Sequence, residues 1–481
     1  MLEGQEISEV SLNTILSMVD FRIDADFFLK EFTNILSLSK KWPELSIISD
    51  TYELHSNGAF KDIHGYLHKD CYKNIKYIRS ENVGNFFING KIEYISDYAH
   101  NNLQKTITEY GDILTARTGK VGGASIITDD WINCNSNQNV VNIKIKDKKK
   151  VDSFYLVTFL NTKYGIMQFK RASTGNVQPW LNLSLLRKVK IFIPSEYFQV
   201  KIKNIIEKAL YFFKKTQELY LSAENLLLKK SNALESSLLI NINLKSFKES
   251  FQITGRLDAE YYQPKYDQLF FHLSKLESKK LGEIVNIKKS IEPGSDAYQD
   301  TGIPFVRVSN LSKFGLTKPE IHLDANKYGN ITLYPNKDTI LLSKDGSVGI
   351  AYKVEEDMKI ITSGALLHLN IIDDEFLPDY LTLVLNSPIV QLQAERDAGG
   401  SIIQHWKPSE IEEVIIPKLP LDSQKKISDL VLQSFKLKKQ SEQLLEVAKK
   451  AVEIAIEQNE ATAIDYINSY SELMQEDGNW C

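Results

Sequence analysis

The chain has 481 residues, of which 43% are hydrophobic and 25% are charged, and a formal net charge of −4 at pH 7. This length predicts about two to four domains, and the composition is that of an ordinary globular protein. The sequence shows no apolar run near the roughly 18 residues that a membrane span needs and no basic-then-apolar leader, so we expect a cytoplasmic protein that binds no membrane. Because the whole chain lacks a basic excess, a polyanionic partner would have to be met by local patches.

Three isolated cysteines, Cys71, Cys134 and Cys481, predict neither a disulfide framework nor a zinc site. His64 and His68 could share one face of a helix near Cys71. A fourth ligand is not evident, so we predict surface residues and no metal site.

Two segments about half the chain apart are nearly the same. FRIDADFF at 21–28 and GRLDAEYY at 255–262 align Arg22 with Arg256 and Asp24 with Asp258. We interpret this mixed-charge motif as a structural ion pair or a contact with a partner protein that marks the start of each repeat. The similarity predicts that the rest of the first half recurs in the second.

A second repeated pair has the pattern of a strand, a glycine turn and a strand. DILTARTGKVGGA at 112–124 aligns with TILLSKDGSVGIA at 339–351, with a basic residue at Arg117 and Lys344. Glycine permits a positive φ or a close approach of two backbones. Neither copy has the GxxxxGK[ST] pattern of a phosphate-binding loop, so we predict a hairpin in a β-rich domain.

Further blocks recur in the same order. FLNTKYG (159–165) matches VLNSPIV (384–390), and ASTGNVQPW (172–180) matches DAGGSIIQHW (397–406), which aligns Trp180 with Trp406. The preserved order predicts a tandem duplication. We interpret both tryptophans as core anchors rather than as groups that stack on bases.

Each half ends in a long segment with apolar residues every three or four positions. Residues 198–238 contain no Gly or Pro, and 422–458 repeat the pattern. This spacing predicts two amphipathic helices of about 55–60 Å. We expect them to bury their apolar stripes on each other as an antiparallel pair; the alternative is that each packs only on its own globular half.

The predicted fold class is α+β. Two β-rich globular domains alternate with two long helices that pack as an antiparallel coiled coil, in a tandem repeat with a pseudo-two-fold axis. The predicted boundaries are 1–196 for the first globular domain, 197–239 for the first long helix, 240–420 for the second globular domain, 421–459 for the second helix and 460–481 for a tail.

Catalytic motifs are not found in the sequence. It has no GxGxxG, HExxH, GxSxG or Walker pattern, and no aromatic-tipped N-P-P motif of a base-modifying methyltransferase. We therefore expect the chain to bind rather than to catalyse.

The ordered, duplicated set of blocks resembles the specificity subunits of type I restriction–modification systems. The features that carry the resemblance are the D-I-L strand with its glycine turn (112–122), the Asn-Gln-Asn segment (137–139) and the I-P-x(3–5)-Q lead into a long helix at 193–199, with a similar form at 416–424. One departure is SGALLHL at 363–369, which stands where the second half would repeat Asn-Gln-Asn.

The resemblance implies two target recognition domains, each reading one half of a bipartite double-stranded DNA target. It implies that the helices set the spacer and dock DNA methyltransferase (modification) subunits, and that restriction/translocase subunits join the complex. It also implies that this chain has no cofactor of its own, because S-adenosylmethionine, ATP and Mg would be bound by partner subunits.

Polar and basic residues near the repeated glycines are the candidates for DNA contact, because base edges are read by side-chain hydrogen bonds. In the first half they are Arg117, Lys120, Asn137, Gln138, Asn139, Lys170, Arg171, Ser173, Thr174 and Gln178. In the second half they are Ser343, Lys344, Ser347, Ser401, Gln404, His405 and Lys407. Arg117 could form a bidentate hydrogen bond with guanine, and Gln178 could form one with adenine. KIKDKKK (144–150) could grip phosphate or be a solvated hairpin tip.

Two other functions remain open at this point. The chain could serve a different DNA methyltransferase, of a type IIB-like or other phage-defence system, or it could be a coiled-coil adaptor whose globular halves bind proteins.

Overall fold

The computed structural model describes residues 9–16, 23–52, 73–119, 121–175, 179–231, 242–399 and 404–470. Helices and strands are mixed along these residues, as predicted. The chain forms two compact units: unit 1 comprises 1–213 and 439–481, and unit 2 comprises 214–438. No helix in the described part of the chain combines the length and apolar character needed to cross a membrane.

The α-helices up to the end of the first long helix are α1 (Leu12–Leu16), α2 (Lys30–Leu38), α3 (Leu45–Ile48), α4 (Asp97–Asn102), α5 (Ser153–Asn161), α6 (Lys163–Ala172), α7 (Leu183–Leu186) and α8 (Glu196–Ser231). Those that follow are α9 (Phe251–Thr254), α10 (Pro264–Leu273), α11 (Leu281–Ile284), α12 (Ala325–Tyr328), α13 (Pro378–Asn386), α14 (Pro388–Asp397), α15 (Pro408–Glu412), α16 (Leu421–Glu457) and α17 (Glu460–Asn468). Short 3₁₀ turns occur at Ala25–Phe28, Ser80–Asn82, Gln104–Thr106, Asp129–Trp131, Ala259–Tyr262, Ser295–Ala297, Val308–Asn310 and Ile331–Leu333.

The strands of unit 1 are β1 (Ser49–Tyr52), β2 (Lys73–Ile78), β3 (Glu93–Ser96), β4 (Ile113–Ala116), β5 (Ser125–Ile126), β6 (Asn135–Ser136), β7 (Val140–Ile145), β8 (Ser173–Thr174) and β9 (Trp180–Leu181). The strands of unit 2 are β10 (Ser278–Lys280), β11 (Val285–Lys289), β12 (Ile303–Val306), β13 (Leu311–Ser312), β14 (Gly315–Leu316), β15 (His322–Leu323), β16 (Ile340–Ser343), β17 (Ala351–Lys353), β18 (Ile361–Thr362), β19 (Leu366–Ile371) and β20 (Ile415–Pro417).

The central sheet of unit 1 has the order β1-β7-β4-β5, with every neighbouring pair antiparallel. All four residues of β4 are buried, which fits its sequence ILTA, in which only Thr115 is polar. β4 pairs with β5 through Ile113 and Ile126, so the predicted strand, glycine turn and strand are confirmed. Gly119 has a φ of 79° in this turn.

Unit 2 repeats this sheet as β11-β19-β16-β17, again antiparallel throughout. Gly346 has a φ of 74° at the turn, matching Gly119. A parallel pair also recurs, between β2 and β6 in unit 1 and between β12 and β18 in unit 2. The blocks that recur in the sequence are therefore the same elements of the same sheet arrangement.

Polar contacts around the start of each long helix recur as well. The Tyr155 hydroxyl donates to the Phe192 carbonyl and the Tyr380 hydroxyl to the Pro417 carbonyl, both at 2.7 Å. Gln199, in the predicted lead into the first long helix, donates to the Pro194 carbonyl at 3.2 Å. Gln424 donates to the Leu419 carbonyl at 2.9 Å in the same position. Buried side chains of these types need such partners, so the contacts fix how each long helix begins.

The two predicted long helices are confirmed as α8 and α16, of 36 and 37 residues. In unit 1 the Ser441 hydroxyl donates to the Ala209 carbonyl at 2.7 Å. In unit 2 the Ser434 hydroxyl donates to the Thr216 carbonyl at 2.9 Å, and the Thr216 hydroxyl returns a bond to Ser434 at 3.3 Å. Each unit thus contains one part of α8 in contact with one part of α16.

Candidate nucleic-acid interface

The glycine turn of unit 1 brings three chain segments together at Arg117. The Arg117 backbone N–H donates to the Asn139 carbonyl at 2.7 Å, and the Arg117 carbonyl accepts from the Leu181 N–H at 2.7 Å. Predicted site residues from the hairpin, from the Asn-Gln-Asn segment and from β9 therefore lie side by side. Backbone hydrogen bonds hold them, so the arrangement does not depend on which side chains the loops carry.

Trp180 is 42% exposed, so the prediction that it is a core anchor is wrong. The Arg117 guanidinium lies over its ring, 4.6 Å from the ring centroid. A cation over an aromatic face is an attractive arrangement, and it limits the directions in which the guanidinium can point. Arg117 and Trp180 thus form one partly exposed polar and aromatic patch.

The predicted Asn-Gln-Asn segment is half-buried beside this patch. The Asn137 side-chain oxygen accepts from the Asn139 N–H at 3.1 Å, and the Asn137 N–H donates to the Ile78 carbonyl at 2.9 Å. One asparagine therefore shapes the turn, and Gln138 lies at its centre.

Arg171 has a structural position in unit 1. Its guanidinium lies 3.7 Å from the centroid of the Phe27 ring, and its Nε donates to the Phe27 carbonyl at 3.2 Å. Arg396 of unit 2 lies in the same way 5.1 Å from the Tyr261 ring centroid. In both units an arginine at the end of a helix therefore docks the repeated opening motif.

The other candidates of this region are more exposed. Lys170 is exposed, and the Ser173 hydroxyl donates to its carbonyl at 2.6 Å. Thr174 is exposed and pairs with Trp180 between β8 and β9. These residues border the patch of Arg117 and Trp180.

The second copy of the opening motif contains the predicted ion pair. Arg256 bonds both carboxylate oxygens of Asp258, at 2.9 and 2.5 Å. These bonds lower the pKa of Asp258 from its ordinary value. Arg22 of the first copy lies outside the described residues, as do His64, His68 and Cys71; the described residues contain no group of His, Cys, Asp and Glu suited to a metal ion.

In unit 2 the backbone contacts correct the predicted alignment by one residue. The Trp406 N–H donates to the Lys344 carbonyl at 2.8 Å, which is the contact that Leu181 makes with Arg117. Trp406 therefore corresponds to Leu181, and His405 corresponds to Trp180. Trp406 is 1% exposed, so its prediction as a core anchor is confirmed.

His405 forms the exposed polar site of unit 2 together with Asp345. His405 Nδ1 lies 2.8 Å from Asp345 Oδ1, and the Lys344 ammonium contacts Asp345 Oδ2. Asp345 was missed by the sequence analysis, although its place between Lys344 and Gly346 in the turn was the signal that could have found it. It adds a carboxylate to a surface for which only hydroxyl, basic, amide and imidazole side chains had been predicted.

The remaining candidates of unit 2 differ in exposure. The Ser343 side chain is fully buried and donates to the Ser347 carbonyl at 2.6 Å, so it braces the turn from inside. Ser347 and Gln404 are exposed. Lys407 is exposed and lies 3.2 Å from Glu410. Lys120, Gln178 and Ser401 lie outside the described residues.

The basic run 144–150 is not a hairpin tip, because it covers the end of β7 and its connection to α5. Lys144 contacts Glu109 at 2.8 Å and Asp112 at 3.2 Å, and the bond from Lys144 lowers the pKa of Glu109. Lys146 lies 3.4 Å from Asp50. Part of this run is therefore neutralised within unit 1.

Comparisons with known proteins agree with the resemblance found in the sequence. The family model "Type I restriction modification DNA specificity domain" matches residues 47–249 and 274–447. The type I restriction enzyme MjaIX specificity subunit of Methanocaldococcus jannaschii is 28% identical over 428 residues, which are 85% of this chain and 89% of that protein.

Two solved structures are also similar. The S subunit of a type I restriction–modification system from M. genitalium is 14% identical, with a TM-score of 0.37 over 88% of this chain and 95% of that chain. The HsdS subunit from Thermoanaerobacter tengcongensis is 13% identical, with a TM-score of 0.28 over 87% and 97%. Because the family model matches both halves and most of the length, the chain belongs to the family of type I restriction–modification DNA specificity subunits.

Proposed function

We propose that this chain reads a bipartite double-stranded DNA target, one half-site with each unit, and that it catalyses nothing itself. The proposal rests on a contrast between the backbone arrangement, which is the same in the two units, and the exposed side chains, which differ. The same backbone position presents Trp180 beside Arg117 in unit 1 and His405 beside Asp345 in unit 2. Two different half-sites require different exposed side chains on the same backbone arrangement.

Sequence is read at base edges, whereas contacts to phosphate position the protein. Arg117 can bond guanine O6 and N7, and the amides of 137–139 can bond adenine. In unit 2 we assign the reading surface to Lys344, Ser347, Gln404, His405 and Lys407, and Asp345 positions His405 within it. Lys120, Gln178 and Ser401 stay in the proposal on sequence grounds. We leave out Ser343 and Arg171, because their side chains are engaged within their units.

We assign α8 and α16 the role of an antiparallel coiled coil that sets the spacer between half-sites and docks the modification subunits. The pairs Ala209–Ser441 and Ser195–Glu460 in unit 1 support it. Ser195 directly precedes α8 and Glu460 follows α16, so residue numbers rise along one helix as they fall along the other. Exposed apolar side chains on the helices, such as Tyr197 and Leu432, offer surface for a partner. The pseudo-two-fold axis and the predicted domain boundaries belong to this proposal.

The rest of the complex supplies the chemistry in this proposal. Modification subunits bring S-adenosylmethionine for DNA methylation, and restriction/translocase subunits bring ATP and Mg. The complex would act on DNA in the cytoplasm. Because the chain carries a net charge of −4, we expect those subunits to supply much of the positive field around the DNA.

Sequencing of methylated sites in a host that expresses the chain with its modification subunits tests the proposal. The unchanged chain should yield one split motif. Arg117→Ala should relax one half of that motif and His405→Ala the other, each leaving the opposite half intact. Methylation of an unsplit motif, or both variants relaxing the same half, would contradict the proposal.

The spacer role has its own test. One heptad inserted at the middle of both α8 and α16 keeps the apolar stripe and adds about 10 Å, or about three base pairs. The same half-sites should then be methylated at a spacing longer by about three base pairs. Unchanged spacing in a complex that still methylates would refute the role.

A further inference from the structure

We propose that unit 2 recognises a base with an exocyclic amino group, adenine or cytosine, through Nε2 of His405 in a tautomer set by Asp345. This inference rests on the proposed function, namely that unit 2 reads one half-site. It goes further, because it names the chemistry of the base and the residue that decides it. Asp345 acts on the DNA only through His405, so it is a positioning residue.

The backbone of His405 is held from two sides. Its N–H donates to the Gly399 carbonyl at 2.7 Å, and the Gly399 N–H returns a bond at 3.1 Å. The neighbouring Gln404 carbonyl accepts from the Gly346 N–H at 2.9 Å, and the next residue, Trp406, is buried. Rigid placement of this kind lets a single side chain discriminate between bases, because little conformational entropy is lost on binding.

The contacts of Asp345 fix which ring nitrogen of His405 carries the proton. An ionised carboxylate only accepts hydrogen bonds. Asp345 Oδ1 lies 2.8 Å from His405 Nδ1, and the Lys344 ammonium contacts the other oxygen. Nδ1 must therefore donate to Asp345, and in the neutral ring Nε2 has a lone pair and no proton.

An acceptor at Nε2 selects a class of bases. In the major groove, adenine presents its N6 amino group and cytosine its N4 amino group, whereas guanine offers N7 and O6 and thymine offers O4, which are acceptors. The His405 side chain is 64% exposed, so its ring is open to a partner. The neutral ring therefore favours adenine or cytosine. On guanine or thymine, the Nε2 lone pair would face the lone pair of another acceptor, which is unfavourable.

The corresponding pair in unit 1 lacks this acceptor. Trp180, at the position of His405, has an indole N–H that only donates. Thr118, which pairs with Trp180 as Asp345 pairs with His405, carries no charge. The imidazole acceptor is thus found in unit 2 and not at its counterpart position in unit 1, so a change in it should affect one half-site.

The decisive variant is Asp345→Asn in the complete methylating complex. The Lys344 ammonium only donates, so the new amide would turn its oxygen to Lys344 and its NH₂ to His405 Nδ1. Nδ1 then has to accept, the proton moves to Nε2, and Nε2 becomes a donor. At one position of one half-site, we expect the methylated motif to shift from adenine or cytosine towards guanine or thymine.

His405→Phe identifies that position, because it keeps an aromatic ring and removes the acceptor, so discrimination there should fall roughly tenfold. Asp374→Asn, at an exposed aspartate of the same unit, is the matched control and should leave the motif unchanged. Duplexes in which adenine or cytosine at that position is replaced by the same base without its amino group show which of the two bases is recognised. The unchanged chain should methylate the duplex without the recognised amino group more slowly than the normal duplex, whereas His405→Phe should methylate the two at the same rate.

The inference is overturned if the unchanged chain selects guanine or thymine at this position, as a protonated His405 would. It is also overturned if His405→Phe leaves a split motif unaltered, or if Asp345→Asn keeps the original base. An unsplit motif from the unchanged chain would instead refute the proposed function. Should Asp345→Asn fail to copurify with the modification subunits, the duplexes without amino groups decide alone.

Discussion

Asn161 in unit 1 and Asn386 in unit 2 bond the same two backbone groups of an alanine at the start of the last strand of each central sheet. Asn161 donates to the Ala124 carbonyl at 2.8 Å and accepts from the Ala124 N–H at 3.1 Å. Asn386 bonds Ala351 in the same way, at 2.7 and 3.1 Å. The side-chain amide thus pairs with the backbone N–H of each alanine and adds a donor to its carbonyl, which in Ala124 also accepts from the Phe86 N–H at 2.9 Å.

Asn161→Ala should therefore lower stability by about 1–3 kcal/mol, because it leaves the buried N–H of Ala124 unpaired, while the Ala124 carbonyl keeps its bond from the Phe86 N–H at 2.9 Å. Thermal unfolding and amide hydrogen exchange near Ala124 measure the effect. Asn102→Ala is the matched control, since Asn102 bonds the Tyr98 carbonyl at an exposed site. Equal losses in the two variants would contradict the assigned role.

Unit 2 contains a buried ion pair. Lys353 Nζ lies 2.9 Å from Asp379, and the two side chains are only 7% and 13% exposed. Lys353→Met should cost about 3–5 kcal/mol, because it leaves the buried Asp379 without its cation. Asp379→Leu should cost less, because Lys353 also lies 3.6 Å from Glu355 and 3.7 Å from Asp338. The double variant should recover most of that loss, since apolar residues of similar volume can fill the site.

Denaturant unfolding of both single variants and the double variant measures this coupling. Lys280→Met serves as the control, because its pair with Glu413 is exposed and should leave the free energy of unfolding almost unchanged. A double variant as unstable as the two single losses combined would show that the charges are not coupled.

His368 should make the stability of unit 2 depend on pH. Burial, assisted by the nearby charge of Lys288, lowers its pKa from 6.5 to about 4, and its Nε2 lies 2.8 Å from the Thr362 hydroxyl. Between these values the unfolded chain binds the proton more readily than the folded one. The stabilising contribution is thus complete above about pH 6.5 and is lost as the pH falls towards 4, by about 3 kcal/mol in total.

His368→Asn is a suitable replacement, because Asn142 occupies the corresponding place in unit 1. That correspondence follows from the strand register, in which Ile113 pairs with Ile143 as Ile340 pairs with Leu369. The variant should flatten the decline in the thermal midpoint between pH 6.5 and 4 that the unchanged chain shows. A decline of equal slope in both proteins would assign the acid sensitivity to other groups.

The sequence predicted the long helices and both glycine-turn hairpins, since periodicity and glycine spacing are local signals. The sequence prediction failed at Trp180, because the alignment matched the two tryptophans, Trp180 and Trp406, with each other. The strand register instead pairs Trp180 with Thr118 and His405 with Asp345. A shift of one residue in a strand moves a side chain to the opposite face, so the two tryptophans differ in exposure.

Arg171 shows a second limit of sequence reading. Its charge was visible, but its partner Phe27 lies 144 residues earlier in the chain. A basic residue beside a polar loop has the same sequence signature whether it faces DNA or packs on an aromatic ring. Only the folded contacts separate these two cases, and the same holds for the buried Ser343 in the turn of unit 2.

The stacking of Arg117 on Trp180 leads to a prediction about how the first half-site is read. Trp180→Ala removes the ring that limits the guanidinium, so a bidentate contact with guanine would require the side chain to be ordered on binding. We expect the variant to lose about 1–3 kcal/mol of discrimination at one base pair of one half-site. Trp180→Phe keeps an aromatic face and should retain most of it.

Trp131 provides the matched control within unit 1, because Lys76 lies over its ring at the same 4.6 Å, outside the loops assigned to base reading. Trp131→Ala should lower the thermal midpoint without altering the methylated motif. Trp180→Ala should alter the motif while the modification subunits still copurify with the chain. If both variants changed the motif alike, the effect would come from general loosening of unit 1, and Trp180 would have no specific part in orienting Arg117.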